Sequence, residues 1–300
     1  MKKRISLKSL YKNDPIGGFR VIWGKDYNEA LNEALGISGS CKSESYKIAN
    51  IIEKDIRSNK TPIGRDMIVK EYNGKTRVTI FDSAVCIVWK YFNILLPELY
   101  DEVYETKKEP AYYDEKTNTI HITVFAKSGT IVLDTLIEDL SHEIFHNYKR
   151  FVYETPEKYY THIEKINELL HSQKSTKEQK VVAWLLYLSM EEEQQAFCNG
   201  AYNYITKVFD DCESISSVYT ETLESTKLWK NYISFRKSIC DFINKISEAV
   251  YEENNLHVIL GMSYKKCCKM IKEGYNRYLT NMGRMLALIR EEYNLRRPWN

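Results

Sequence analysis

The sequence predicts an α+β chain. A mixed helix–strand front, residues 1–128, runs without a linker into a mainly helical back, residues 129–300. Three observations carry this. Thr119 to Phe125 (TIHITVF) alternates β-branched and apolar residues as a half-buried strand does. Two β-prone runs flank Asn73-Gly74, a dipeptide suited to the positive φ angles of a hairpin turn. From Thr130 onward apolar residues recur at helical spacing, and no further strand pattern follows. No Pro-, Gly- or Ser-rich linker marks the change at 126–130, so one continuous domain over 1–300 is expected.

Taken in order, Asp26 to Leu35 and Ser43 to Ile56 carry helical spacing. Gly36 is expected to stop the first, and Asn59 and Pro62 follow the second. Asp66 to Glu71 and Lys75 to Phe81 then read as the two arms of a hairpin about Asn73-Gly74. Residues 84–98 are mostly apolar and fit either a buried strand or a short helix; 101–118 is polar. After the strand at 119–125, Leu133, Leu136, Ile137, Leu140 and Ile144 place an amphipathic helix over 130–151. Thr155-Pro156-Glu157 ends it and starts another, with proline at a first helical position. One long helix is expected from Lys177 to about Lys207, and two more over 221–253 and 264–293.

Composition removes several function classes. The 43 Lys+Arg against 41 Asp+Glu leave +2, which argues against a nucleic-acid partner. No apolar run reaches the roughly 18 residues of a membrane span, and the basic opening MKKR lacks the apolar stretch of a signal peptide. Seven cysteines, an odd number with no CxxC, fit neither a disulfide framework nor a zinc knuckle, and a reducing cytoplasm is expected. The vicinal pair Cys267-Cys268 reads as one buried and one exposed thiol on a helix. Phosphate-cradling GxGxxG and GxxxxGK[ST] patterns are absent.

The chemistry-bearing pattern lies inside the 130–151 helix. His142-Glu143-Ile144-Phe145-His146 is HExxH. Residues i and i+4 stand one above the other on a helix, so both imidazoles can reach one zinc ion. Glu143, one step round, is placed to take a proton from water on the metal's open side and pass it to a leaving amine. Asp139, three residues before His142, is the expected acceptor holding a ring. Catalytic zinc takes three protein ligands and a water. Lys149 and Val152 stand where an extended metzincin motif needs Gly and His, so the third ligand lies elsewhere. His162, His171 and His257 are isolated. Glu191-Glu192-Glu193 directly follows the apolar VVAWLLYLSM, and carboxylates continuing a buried helix ask for a positive partner. Glu193, with small Ala196 three residues on, is the first choice and Glu192 the second.

With HEIFH, a downstream carboxylate and a strand just before the motif, the chain resembles gluzincin-type zinc metallopeptidases. YLSMEEEQQAFCNGAY is similar to the E-x-x-A-F helices that supply the third ligand in small peptidases of phages and mobile elements. The resemblance covers about 119–205. It implies a zincin-like core, Zn2+ held by His142, His146 and Glu193, and Glu143 as catalytic base. It also implies a protein or peptide substrate paired along Thr119–Phe125. No oxyanion-stabilising His, Tyr or Arg is identified by motif.

Two other readings stand beside this one. A second ExxH, Glu168 to His171, would suit a di-iron carboxylate helical protein. A non-catalytic zincin-like structural or interaction protein would suit the 23 tyrosines.

Overall fold

The computed structural model describes residues 27–58, 69–107, 111–152, 157–208 and 214–296. The basic opening, Asn59, Pro62, Thr155, Pro156 and Cys212 lie outside them.

Helix α1 runs Tyr27–Ser58 without interruption, so Gly36 does not stop it and the two expected helices are one. Strand β1 (Val69–Ile80) and β2 (Ser83–Ile94) form an antiparallel hairpin. Its turn is Phe81-Asp82, both with positive φ, rather than Asn73-Gly74. Gly74 sits mid-strand opposite Trp89, where a Cβ would come within 2.3 Å of the indole. That glycine makes room for the largest buried side chain of the sheet, which is why it is no turn. The ambiguous 84–98 run is mainly strand: Val85, Ile87, Trp89 and Tyr91 alternate into the core.

A short helix α2 (Tyr100–Lys107) occupies part of the polar stretch. Strands β3 (Tyr112–Asp114), β4 (Thr119–Lys127) and β5 (Thr130–Ile131) follow. The order is β1-β2-β4-β3, with β2 parallel to β4 and β5 also on β4. β4 is therefore an inner strand. Its second edge carries β3 at Thr119–His121 and β5 at Ala126–Lys127, so of the expected peptide-pairing strand only 122–125 has no strand partner on that side among the described residues.

The rest is helical: α3 (Leu133–Val152), α4 (Glu157–His171), α5 (Lys177–Leu188), α6 (Glu191–Lys207), α7 (Lys227–Lys245), α8 (Glu248–Glu253), α9 (Leu256–Ile259) and α10 (Tyr264–Arg296). Irregular helical turns fill 215–225. The expected helix over 177–207 is two. Ser189 closes α5, and Met190, with extended backbone, opens α6. The break is buried yet satisfied: Gln194 donates to the Leu188 carbonyl and Arg277 to that of Ser189. Gly274 lets α10 approach it, since a Cβ there would stand 2.3 Å from that of Ser189.

Two large apolar cores result, beside a small cluster of Phe92, Ile94, Tyr100 and Phe125. One packs α1 and α3 on the sheet through Ile48, Ile52, Ile87, Trp89, Leu140 and Ile144. The other lies among α4 to α10. Helices α3 and α6 form the seam: Ala196 belongs to the sheet-side core, while Phe197 and Ala201 belong to the helical one. Among the described residues no helix is long and apolar enough to cross a membrane.

Candidate metal centre

Helix α3 is amphipathic by its own spacing. Leu136, Leu140 and Ile144 are four residues apart and buried toward the sheet. That orientation turns His142 and His146 to α6. The two helices come close because α6 carries small residues where they cross. Ala196 is fully buried, and a Cβ on Gly200 would lie 2.7 Å from the Glu138 carbonyl. Asn199 locks the pair by donating to the Ser141 carbonyl at 2.6 Å.

At this crossing the two imidazoles meet Glu193. Their Nε2 atoms are 3.1 Å apart. Glu193 Oε2 is 3.5 Å from His142 Nε2, and Oε1 is 3.5 Å from His146 Nε2. A tetrahedral ion with bonds of about 2.0–2.1 Å keeps its ligand atoms about 3.3–3.4 Å apart. The triangle fits such an ion. Among the described residues this is the only set of three His, Cys, Asp or Glu side chains whose ligand atoms converge, all within 4.8 Å.

The acidic triplet divides by position. Glu191 is exposed and accepts from Gln195. Glu192 Oε1 lies 3.1 Å from His146 Nδ1, on the side away from the convergence point. A carboxylate there can only accept, so a neutral His146 carries its proton on Nδ1 and offers the Nε2 lone pair to a metal. Glu193 alone faces both Nε2 atoms. All three sit in the first turn of α6, where the helix N-terminus favours negative charge. This follows from the Ser189–Met190 break, which turns a helix continuation into a helix start. Asp139 does not hold a ring as expected; it pairs with Lys227 Nζ.

Glu143 is 4% exposed, with Oε1 3.9 Å from His142 Nε2, beside the convergence point rather than in it. Burial raises its carboxyl pKa, against the pull of His142 and His146. Burial likewise pushes Glu193 up, but the two histidines outweigh it and hold the group well below the usual carboxylate range. His146 shows the counterpart. Burial lowers it, and Glu193 with Glu192 lift it well above the ordinary histidine value.

Two residues here carry no sequence signal. Tyr187, at the end of α5, donates its hydroxyl to Glu193 Oε2 at 2.7 Å. Phe197 lies against the His142 ring, centroids 4.5 Å apart. No spacing rule joins Tyr187 to Glu193, because the contact depends on the helix break. The second ExxH is not part of the site: Glu168 and His171 are exposed, as is His257. Cys267 is buried and Cys268 half-buried, close to the expected division. Compared with known proteins, the chain matches no family model, no curated protein and no solved structure.

Proposed function

We propose that the chain is a zinc-dependent metallopeptidase with a zincin-like core, acting on a protein or peptide substrate. The supporting observation is the convergence of His142, His146 and Glu193 with a fourth residue, the acid Glu143, alongside at non-ligating distance. Two imidazoles and one carboxylate are a donor set of catalytic zinc, which keeps a position open. A metal there supplies Lewis acidity and makes water ionise near neutral pH. Glu143 then has the placement of a general base: it stands beside the site at non-ligating distance, and burial raises its carboxyl pKa. It accepts the proton of the attacking water and returns it to the leaving nitrogen. Glu192 keeps His146 in the tautomer that ligation needs.

The rival readings fare differently. A di-iron centre would need further carboxylates and the second ExxH at the site, and Glu168 and His171 are exposed. A structural or interaction protein would have no use for a buried acid beside the metal that does not ligate it. Peptide-library or unfolded-casein digestion, with and without a zinc chelator, separates the remaining cases. Glu143→Gln is expected to keep its zinc and lose at least about 100-fold in turnover. Cleavage that persists in that variant or in chelator removes the mechanism. Zinc without any cleavage favours the binding-protein alternative.

A further inference from the structure

In a continuous helix, Tyr187 and Glu193 would be about 9 Å apart along the axis and roughly 120° apart around it. The Ser189–Met190 break brings them into hydrogen-bond contact at 2.7 Å. The phenol is held by its surroundings. Its ring stacks on Trp184 at 5.6 Å, and the Trp184 indole is anchored by donation to Ser234 Oγ. Phe197, which also touches His142, closes the other side at 6.3 Å from Tyr187. A tyrosine fixed this way delivers its hydroxyl with little loss of freedom on making the bond.

Each oxygen of Glu193 stands 3.5 Å from one imidazole, Oε2 from His142 Nε2 and Oε1 from His146 Nε2, but only Oε2 also receives the Tyr187 hydroxyl. A carboxylate free to rotate could offer both oxygens to a metal and fill the position that water needs. We propose that Tyr187 is a positioning residue: its hydroxyl holds Oε2 and leaves Oε1 as the single ligating oxygen of Glu193, keeping the metal four-coordinate with one open place. This rests on the metal-binding reading above. It gives the aromatic frame around the site a task that packing alone does not supply.

Cobalt(II) loaded into the purified full-length chain reports coordination number directly, since four-coordinate cobalt absorbs visible light much more strongly than five-coordinate cobalt. Wild type is expected to show the intense four-coordinate band. Tyr187→Phe, which keeps the ring against Trp184 and Phe197, is expected to weaken that band and to lower cobalt affinity about tenfold in chelator competition. Trp184→Phe, which alters the packing and keeps the hydroxyl, is expected to leave the band in place. An unchanged spectrum and affinity in Tyr187→Phe overturns the proposal. Equal changes in Tyr187→Phe and Trp184→Phe also overturn it, because packing would then be the cause. A wild-type chain that takes up neither cobalt nor zinc overturns the metal reading itself, a result read before any variant is made.

Discussion

Helix α3 takes part in two acidic clusters a single turn apart, the second shared with α6, and they are resolved in opposite ways. At its N-terminal end, Glu138 accepts the backbone N–H of Lys227 at 2.7 Å, and Asp139 pairs with the same residue's ammonium. The protein supplies the cation itself. One turn on, Glu143, Glu192 and Glu193 crowd round His142 and His146, and the ion pairs there are with imidazoles alone. An imidazole can give up its proton to a binding metal ion, which a paired lysine does not. The first cluster closes the fold by tying α7 to α3. The second is neutral only with protons or a metal in it. A buried acid with a lysine beside it is a strut; a buried acid with only histidines beside it is, in the metal-binding reading proposed above, a receptor for a cation.

The comparison breaks most readily on Glu193. Glu193→Gln is expected to lower zinc affinity at least about 100-fold, because an amide oxygen lacks the charge of the third ligand. Asp139→Asn, on the same helix, is expected to leave zinc affinity unchanged. Competition against a chromophoric chelator measures both, and equal losses would erase the distinction between the ends. Next in size is Lys227→Met. It leaves Glu138 and Asp139 without their cation and is expected to cost about 2 kcal/mol in urea unfolding with zinc stoichiometry intact. The lysine side chain is 37% exposed, so the full cost of a buried broken pair does not apply.

Glu192→Gln has a smaller effect, since its amide oxygen still accepts from His146 Nδ1. Zinc affinity is expected to fall about tenfold, at the low end for groups that orient a ligand. The last effect is on pH dependence at the strut. Burial pushes the Glu138 carboxyl from 4.5 up to about 7, against the opposing charge of Lys227. Between those values the native chain keeps a proton that the unfolded chain has released. Glu138 therefore subtracts stability as pH rises through that window. Glu138→Gln is expected to flatten the slope of urea stability between pH 4.5 and 7, and an unaltered slope would show the group titrating normally.

Both ends differ in how legible they were. The receptor end was written in local spacing: i, i+4 histidines on a patterned helix, and carboxylates after an apolar run. Glu193 over Glu192 followed from Ala196 being small enough for helix contact, and the crossing uses Ala196 together with Gly200. The strut was not legible, because Lys227 comes from a helix far along the chain and nothing local marks it as a partner of Asp139. The break at Ser189–Met190 was hidden for a related reason. Neither residue opposes helix strongly, and what ends α5 is the approach of α10 at Gly274 with Gln194 and Arg277 capping the freed carbonyls. The hairpin turn was misplaced because Asn73-Gly74 carries a turn signal, while the requirement that decided it, space for Trp89, comes from the neighbouring strand.

The central claim is that one zinc ion is held by His142, His146 and Glu193. Elemental analysis of the purified chain after zinc loading and desalting tests it most directly, with His142→Ala/His146→Ala measured alongside and circular dichroism confirming that both are folded. One zinc per wild-type chain and none in the folded double variant is the expected result. Zinc retained at full occupancy without the two histidines, or absent from a folded wild-type chain, would contradict it.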